Sequence, residues 1–522
     1  ISNGATIKRS ILFDNCYIGD STEVRGAVLC KKVQLESKAS VFEEAAIGDD
    51  TLIRERAIVK PGVKIWPNKI IDSSTVVKSN VIWRGKFSKS LFGKKGITGE
   101  VNVDITPEFV SKLGSAYGSQ LKSDSKVAIA CCDSGAAQMF KYSLATGLLS
   151  MGIEVLDLGR LPRSITRQAT LFFGVQGSVH VSIDIDDPQK VNIVFMDKNG
   201  LDIDKGVERK IENSFIREEF RRVKTDTFRK IDHMRDCIDY YVRQIVNQLG
   251  VNNIRNQKYK VILSVKNPMV LNIVKAIFQE LKVNVKIYEE FNDILGLRKE
   301  VVENNASLGV RIDDECEGAL IIDEKGNVIR DDLYDALNAL VMLKSTNIRT
   351  LVVPVTASST MEQIAEMCGC KFIRTKTSQK FILDAYLKNE NRIGKREMIN
   401  AYLMTLDSIS VCMLAINLMA VCNLPLSKIL TQIPKYYITK KEVKCPWNMK
   451  GKVMRNLIEE NDSNSVDLIE GVKLNFDDSW ALILPDAEEP LCRVYAESKD
   501  SDELKKLTDN LLKRIETITL EE

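Results

Sequence analysis

The residues of this chain best suited to chemistry are carboxylates gathered in three short segments. Val181-Ser182-Ile183-Asp184-Ile185-Asp186-Asp187-Pro188 lies between an apolar run and a second one, Val191-Asn192-Ile193-Val194-Phe195. Asp313, Glu315 and Glu317 alternate within the segment 311–323, and Asp486, Ala487 and Glu488 stand between Pro485 and Pro490, ahead of Arg493. Oxygen donors at alternate positions suit a hard cation, and the same pattern suits an exposed acidic turn. Ser182 offers a hydroxyl two residues before Asp184, on the same face of an extended chain. Only two histidines occur, His180 and His233, so a histidine-rich metal centre or a Ser-His-Asp triad is nearly excluded.

Two kinds of element must position these groups. Aliphatic residues recur at every sixth position, at Leu29, Leu35, Val41, Ile47, Ile53, Val59, Ile65, Ile71 and Val77, with Leu12, Ile18 and Val24 ahead of a one-residue slip. That period fits neither a helix nor an alternating strand. It predicts a triangular parallel coil over residues 1–83, each hexad forming one side and pointing one aliphatic inward. Beyond residue 84, strand-like and helical runs alternate: Lys126–Ala130, a helix over Ala136–Leu149, then Ile153–Gly159. The alternation recurs at Lys260–Ser264, Leu271–Leu281 and Val285–Tyr288, and again from Thr350, which predicts α/β layers.

Composition narrows the class. Lys plus Arg (74) nearly balance Asp plus Glu (71), which gives no basic field for nucleic acid. Twelve cysteines without regular spacing predict reduced thiols and a cytoplasmic protein. The most apolar stretch, Ile409 to Leu424, is short and interrupted by Ser410, Asn417 and Asn423, so it is expected to be a buried helix rather than a membrane span.

The order of landmarks resembles the phosphohexomutases, the phosphomannomutase/phosphoglucomutase superfamily. Leu91-Phe92-Gly93-Lys94-Lys95-Gly96-Ile97-Thr98-Gly99 is similar to their L-F-G-T-D-G-I-R-G opening, with Thr98 in place of the arginine. The Asp184 loop resembles T-A-S-H-N-P, with Asp184 at the position of the phosphorylated serine; its D-x-D spacing also matches aspartyl-phosphate phosphotransferases. The segment 311–323 resembles the Mg²⁺ loop D-G-D-x-D-R, with Asp313, Glu315 and Glu317 at the acidic positions, Asp314 for the glycine and Gly318 for the arginine. Leu484–Pro490 resembles the phosphate clamp P-S-G-T-E-P, where Asp486 and Glu488 are expected to repel phosphate. A sugar loop G-E-x-S-G-H is expected between Thr375 and Ile409, and only Asn389-Glu390-Asn391 approaches it.

The N-terminal coil resembles the left-handed parallel β-helix of hexapeptide-repeat proteins, without the histidine that acyltransferases commonly use as base. Residues Asn102-Val103-Asp104, Arg217–Arg222 and Cys445–Arg455 are similar to bacterial mannose-1-phosphate guanylyltransferase fusion proteins. The resemblance implies a β-helix over 1–83 and four mutase-like domains, α/β at 84–232, 233–332 and 333–440 and α+β at 441–522. It further implies an upstream or separate nucleotidyltransferase domain, a homo-oligomer built through the coil, and a sugar phosphate or nucleotide sugar as ligand. No nucleic-acid or membrane partner is expected. Replacement of the serine, the arginine, the metal-loop residues, the sugar loop and the clamp points to a catalytically silent assembly or ligand-sensing module. The alternative is an active phosphohexomutase that interconverts sugar 1- and 6-phosphates through Asp184 or Ser182, with Mg²⁺. Trp447 is expected to pack at a domain junction.

Overall fold

The computed structural model describes residues 1–78, 80–81, 86–87, 91–234, 236–289, 293–461, 465–487 and 489–520. The chain forms two compact units, one from Ile1–Arg160, Val179–Phe195 and Ile203–His233, the other from Leu161–Ser178, Met196–Asp202 and Met234–Glu522.

The period-six repeat becomes three parallel sheets of short strands. Thr6–Lys8, Glu23–Arg25, Ser40–Val41, Ile58–Val59 and Val76–Val77 line one side, and Ile11–Leu12, Val28–Leu29, Ala46–Ile47 and Lys64–Ile65 the second. Tyr17–Ile18, Gln34–Leu35, Leu52–Ile53, Ile70–Ile71 and Lys86–Phe87 line the third. Register shows the slip directly, since Thr6 pairs with Glu23 and Glu23 with Ser40, while Ser40 pairs with Ile58 and Ile58 with Val76. The sixth-position aliphatics from Ile18 to Val77 are all buried; Leu12, in the first turn, is only partly covered. Each fully buried aliphatic contributes roughly 1.5–3 kcal/mol. A strand of two residues has no stability alone, so stacking of successive turns must supply it.

A six-stranded sheet follows, ordered Ile97–Glu100, Lys190–Asp197, Gly177–Ile183, Lys126–Cys131, Glu154–Arg160 and Ile231–His233. Lys126–Cys131 and Glu154–Arg160 run parallel and are joined by the helix Gly135–Ser150, which buries Phe140, Leu144 and Leu148. Edge strand Ile97–Glu100 runs antiparallel to Lys190–Asp197 and sets Thr98 opposite Asn192.

In the second unit, Asn284–Tyr288, Lys260–Ser264 and Leu308–Ile312 run parallel. Ala319–Asp323 then returns antiparallel, so residues 313–318 form a hairpin turn. A parallel pair, Thr350–Pro354 with Lys371–Thr375, precedes three helices, Gln379–Asn389, Lys395–Thr405 and Ser408–Cys422. The sequence in which a sugar loop was expected holds the helices Gln379–Asn389 and Lys395–Thr405, with residues 390–394 between them. The chain ends in an antiparallel sheet, Tyr437–Lys444, Leu491–Ser498, Ser479–Pro485, Val472–Asn475 and Val466–Asp467, with the helix Ser501–Leu520 against it. Ser408–Cys422 is buried almost throughout, and among the described residues no single helix is long and apolar enough to cross a membrane. The twelve cysteines are all present as thiols rather than disulfides.

Candidate functional site

Asp184 opens the turn after strand Gly177–Ile183, and its own N–H bonds the Lys190 carbonyl at 2.9 Å. Its Oδ1 accepts the N–H groups of Asp186 at 2.9 Å and Asp187 at 3.3 Å. Its Oδ2 accepts Asn192 Nδ2 at 2.9 Å and Lys95 Nζ at 3.1 Å. Asn192 is held in turn by Thr98, whose Oγ1 donates to its Oδ1 at 2.6 Å. Thr98, at the expected arginine position, therefore orients an amide. Gly96 makes this edge approachable, because a Cβ there would lie 2.5 Å from the Ile193 carbonyl oxygen and the backbone φ is +83°.

The Asp184 carboxyl is held at a pKa of about 2 by the Asn192 hydrogen bond first, then by the Asp186 N–H and Lys95, against the opposing effect of burial. Lys95 also reaches Asp186 at 3.1 Å, and the two hydrogen bonds raise its pKa. Asp184 is 6 % exposed and both of its oxygens carry two donors, which fills the acceptor capacity of a carboxylate. Ser182, the alternative hydroxyl, is 2 % exposed within its strand and is not presented to a substrate.

In the second unit the acidic turn is bound to the chain itself. Asp313 Oδ1 accepts the N–H groups of Glu315 at 3.1 Å and Glu317 at 3.0 Å, and its Oδ2 accepts that of Gly318 at 2.7 Å. Gly318 is required for that approach, because a Cβ there would lie 2.7 Å from Asp313 Oδ2. Burial first, and the neighbouring Glu317 and Glu315 charges, raise the Asp313 pKa against those hydrogen bonds. Glu317 bonds Arg163 at 2.6 Å through one oxygen and Arg167 at 2.9 Å through the other. Burial opposes its ionisation, yet the two guanidinium groups prevail and lower its pKa. Glu315 Oε2 accepts the Arg163 N–H at 2.8 Å.

These donors do not fit the Mg²⁺ site that the resemblance implied. A divalent cation needs converging oxygens with open lone pairs. Here the three side chains turn to backbone N–H groups, a helix start and two arginines, and among the described residues no group of three potential ligands is assembled for a metal.

The C-terminal loop also differs from expectation. Asp486 does not stand as a repulsive charge, because its side chain is 2 % exposed and pairs with Arg493. Its Oδ1 accepts the Glu489 N–H at 2.9 Å. Lys450 Nζ donates to the carbonyls of Asp486 at 2.5 Å and Glu489 at 2.6 Å, while lying 3.6 Å from the centre of the Trp447 ring. Burial lowers the Lys450 pKa. Trp447 is 54 % exposed and therefore not packed at a junction, and its face carries that ammonium. Ala487 is exposed, and Glu488 lies outside the described residues. Sequence reasoning found the carboxylates and missed the cations Lys95, Arg163, Arg167 and Lys450. Lys95, inside the altered Leu91–Gly99 motif, was the available signal for the first of them.

Comparison with known proteins agrees with this scaffold. Residues 89–222 match the family model "Phosphoglucomutase/phosphomannomutase, alpha/beta/alpha domain I", and residues 332–437 match the corresponding domain III. A phosphoglucomutase/phosphomannomutase of Thermococcus kodakarensis is 26% identical over 82% of this chain and 98% of its own length. A phosphoglucosamine/phosphogalactosamine mutase of Sulfurisphaera tokodaii is 27% identical over 82% and 99%. The crystal structure of a phosphoglucomutase/phosphomannomutase family protein from Burkholderia thailandensis superposes with a TM-score of 0.69 at 15% identity, covering 83% of this chain and 98% of that one. That likeness shows the fold.

Proposed function

We propose, on the premise that this chain carries domains I and III of the phosphoglucomutase/phosphomannomutase family, that it serves hexose-phosphate metabolism as a mutase-fold module. It holds a sugar phosphate or nucleotide sugar without carrying a phosphoryl group on its own side chain. The observation behind this reading is the saturation of Asp184. An attacking oxygen needs a free lone pair, and at Asp184 each carboxylate oxygen already accepts two hydrogen bonds. The coil, as a left-handed β-helix, would assemble copies of the chain, and a nucleotidyltransferase acting upstream or in trans completes the proposal.

The second reading is a working phosphohexomutase, and the relatives' names support it better than they support silence. Asp184 Oδ2, once released by Lys95 or Asn192, would then attack the phosphorus of the sugar bisphosphate; the acyl phosphate forms as the phosphorus–sugar oxygen bond breaks, and the sugar oxygen leaves as a hydroxyl with a proton from solvent. The two readings separate in a mutase assay of the purified chain with mannose 1-phosphate and glucose 1-phosphate, Mg²⁺ and a sugar 1,6-bisphosphate. No turnover above background is expected. Turnover that disappears in Asp184→Asn and survives in Ser182→Ala would establish the enzyme.

A further inference from the structure

The acidic turn and the helix Arg163–Phe173 form one electrostatic unit. This helix starts after Pro162 with no side-chain cap and no acidic residue in its first turn, so its N-terminal N–H groups need an acceptor from elsewhere. The turn supplies it: Glu315 Oε2 accepts the Arg163 N–H at 2.8 Å, and the Glu315 carbonyl accepts the Ser164 N–H at 3.2 Å. Arginine at a helix start is disfavoured by the helix dipole, so Arg163 is not placed there to stabilise its own helix. One turn later, on the same face, comes Arg167. Its guanidinium, 5 % exposed, bonds Glu317 at 2.9 Å, Asp202 at 2.8 Å and the Gly200 carbonyl at 3.1 Å.

We infer that Arg163 and Arg167, together with the start of their helix, take the place of a divalent cation on the turn that carries Asp313, Glu315 and Glu317. The two guanidinium forks provide the positive charge that holds both Glu317 oxygens, with a planar geometry suited to carboxylate. The fold of this turn is consequently independent of metal. The contacts of this turn are read by metal binding and melting rather than by turnover, so their test stands apart from the turnover assay.

Mn²⁺ is the probe, observed by the electron paramagnetic resonance signal of the free ion, together with thermal unfolding in MgCl₂ and in EDTA. The wild-type chain is expected to leave Mn²⁺ free and to melt at the same temperature in both solutions. The variant Arg163→Gln/Arg167→Gln uncovers Glu317, and it is expected to bind Mn²⁺ and to melt higher with Mg²⁺ than with EDTA. If the double variant does not fold, Arg163→Gln alone is measured in the same way, because it keeps the bonds of Arg167 to Asp202 and Gly200. Stoichiometric Mn²⁺ binding by the wild type would overturn the inference. So would a folded variant that gains no metal affinity.

Discussion

The Asp184 loop and the Asp486 loop belong to different units and meet the same problem in different ways. Each puts a nearly buried carboxylate where the resemblance places a phosphate-handling residue, and each carboxylate caps the N–H groups of its own turn. At Asp184 the counter-charge is Lys95, whose side chain is 55 % exposed and shared with Asp186. At Asp486 it is the more enclosed Arg493, carried on the neighbouring strand, and Lys450 braces the same backbone through two carbonyls. The first loop is thus held mainly by local hydrogen bonds and the second by buried charge. Introducing carboxylates did not leave uncompensated repulsion, because each loop is met by a cation from a neighbouring segment.

The largest effect should fall on the second loop. Asp486→Ala removes the nearly buried partner of Arg493, leaving it the longer contacts to Glu442 and Glu489, and removes the acceptor of the Glu489 N–H; it is expected to lower stability in urea unfolding by about 3 kcal/mol. A loss below about 0.5 kcal/mol, as at an ordinary surface position, would remove the contrast between the loops. Asp184→Ala comes next, at about 2 kcal/mol, since it leaves two turn N–H groups and the Asn192 amide without their acceptor. Lys95→Met should change stability by less than about 1 kcal/mol, because solvent screens its half-exposed ammonium. If Lys95→Met equals Asp184→Ala, charge and not hydrogen bonding holds the first loop.

Acid titration sharpens the comparison further. The folded-state pKa of Asp184, about 2, lies below its ordinary value of 3.8. A depressed carboxylate contributes stability that is fully present above the unfolded value and is lost as pH falls through the folded one. The wild type should therefore lose stability from about pH 4 towards pH 2 more steeply than Asp184→Asn, measured by urea midpoints at each pH. Parallel curves would show that Asp184 is not ionised against Asn192 and Lys95 in the way the geometry requires.

Much of the scaffold was legible in the sequence because its signals are local and periodic. Every sixth aliphatic from Ile18 to Val77 is buried, since one inward position per hexad is a property of the chain's own pitch. The strands Lys126–Cys131, Lys260–Ser264 and Thr350–Pro354 fell where apolar runs predicted them. Site partners were less visible. Arg163 and Glu317 are far apart in sequence, and no spacing rule joins a helix start to a hairpin turn. Trp447 shows the same limit, because proximity to Pro446 suggested packing while the fold left its face open to Lys450.

The sequence by itself determined the coil, the alternation of strands and helices, and the loss of the serine, the arginine and the sugar loop. These follow from side-chain type and short-range period. Only the tertiary structure decided what the new carboxylates do, because their energy depends on which donors come within about 3 Å and how far water is excluded. It made internal caps of Asp184, read as standing at the serine position, and of Asp486, read as a repulsive charge, each with a cation beside it, and it gave the acidic turn to two arginines.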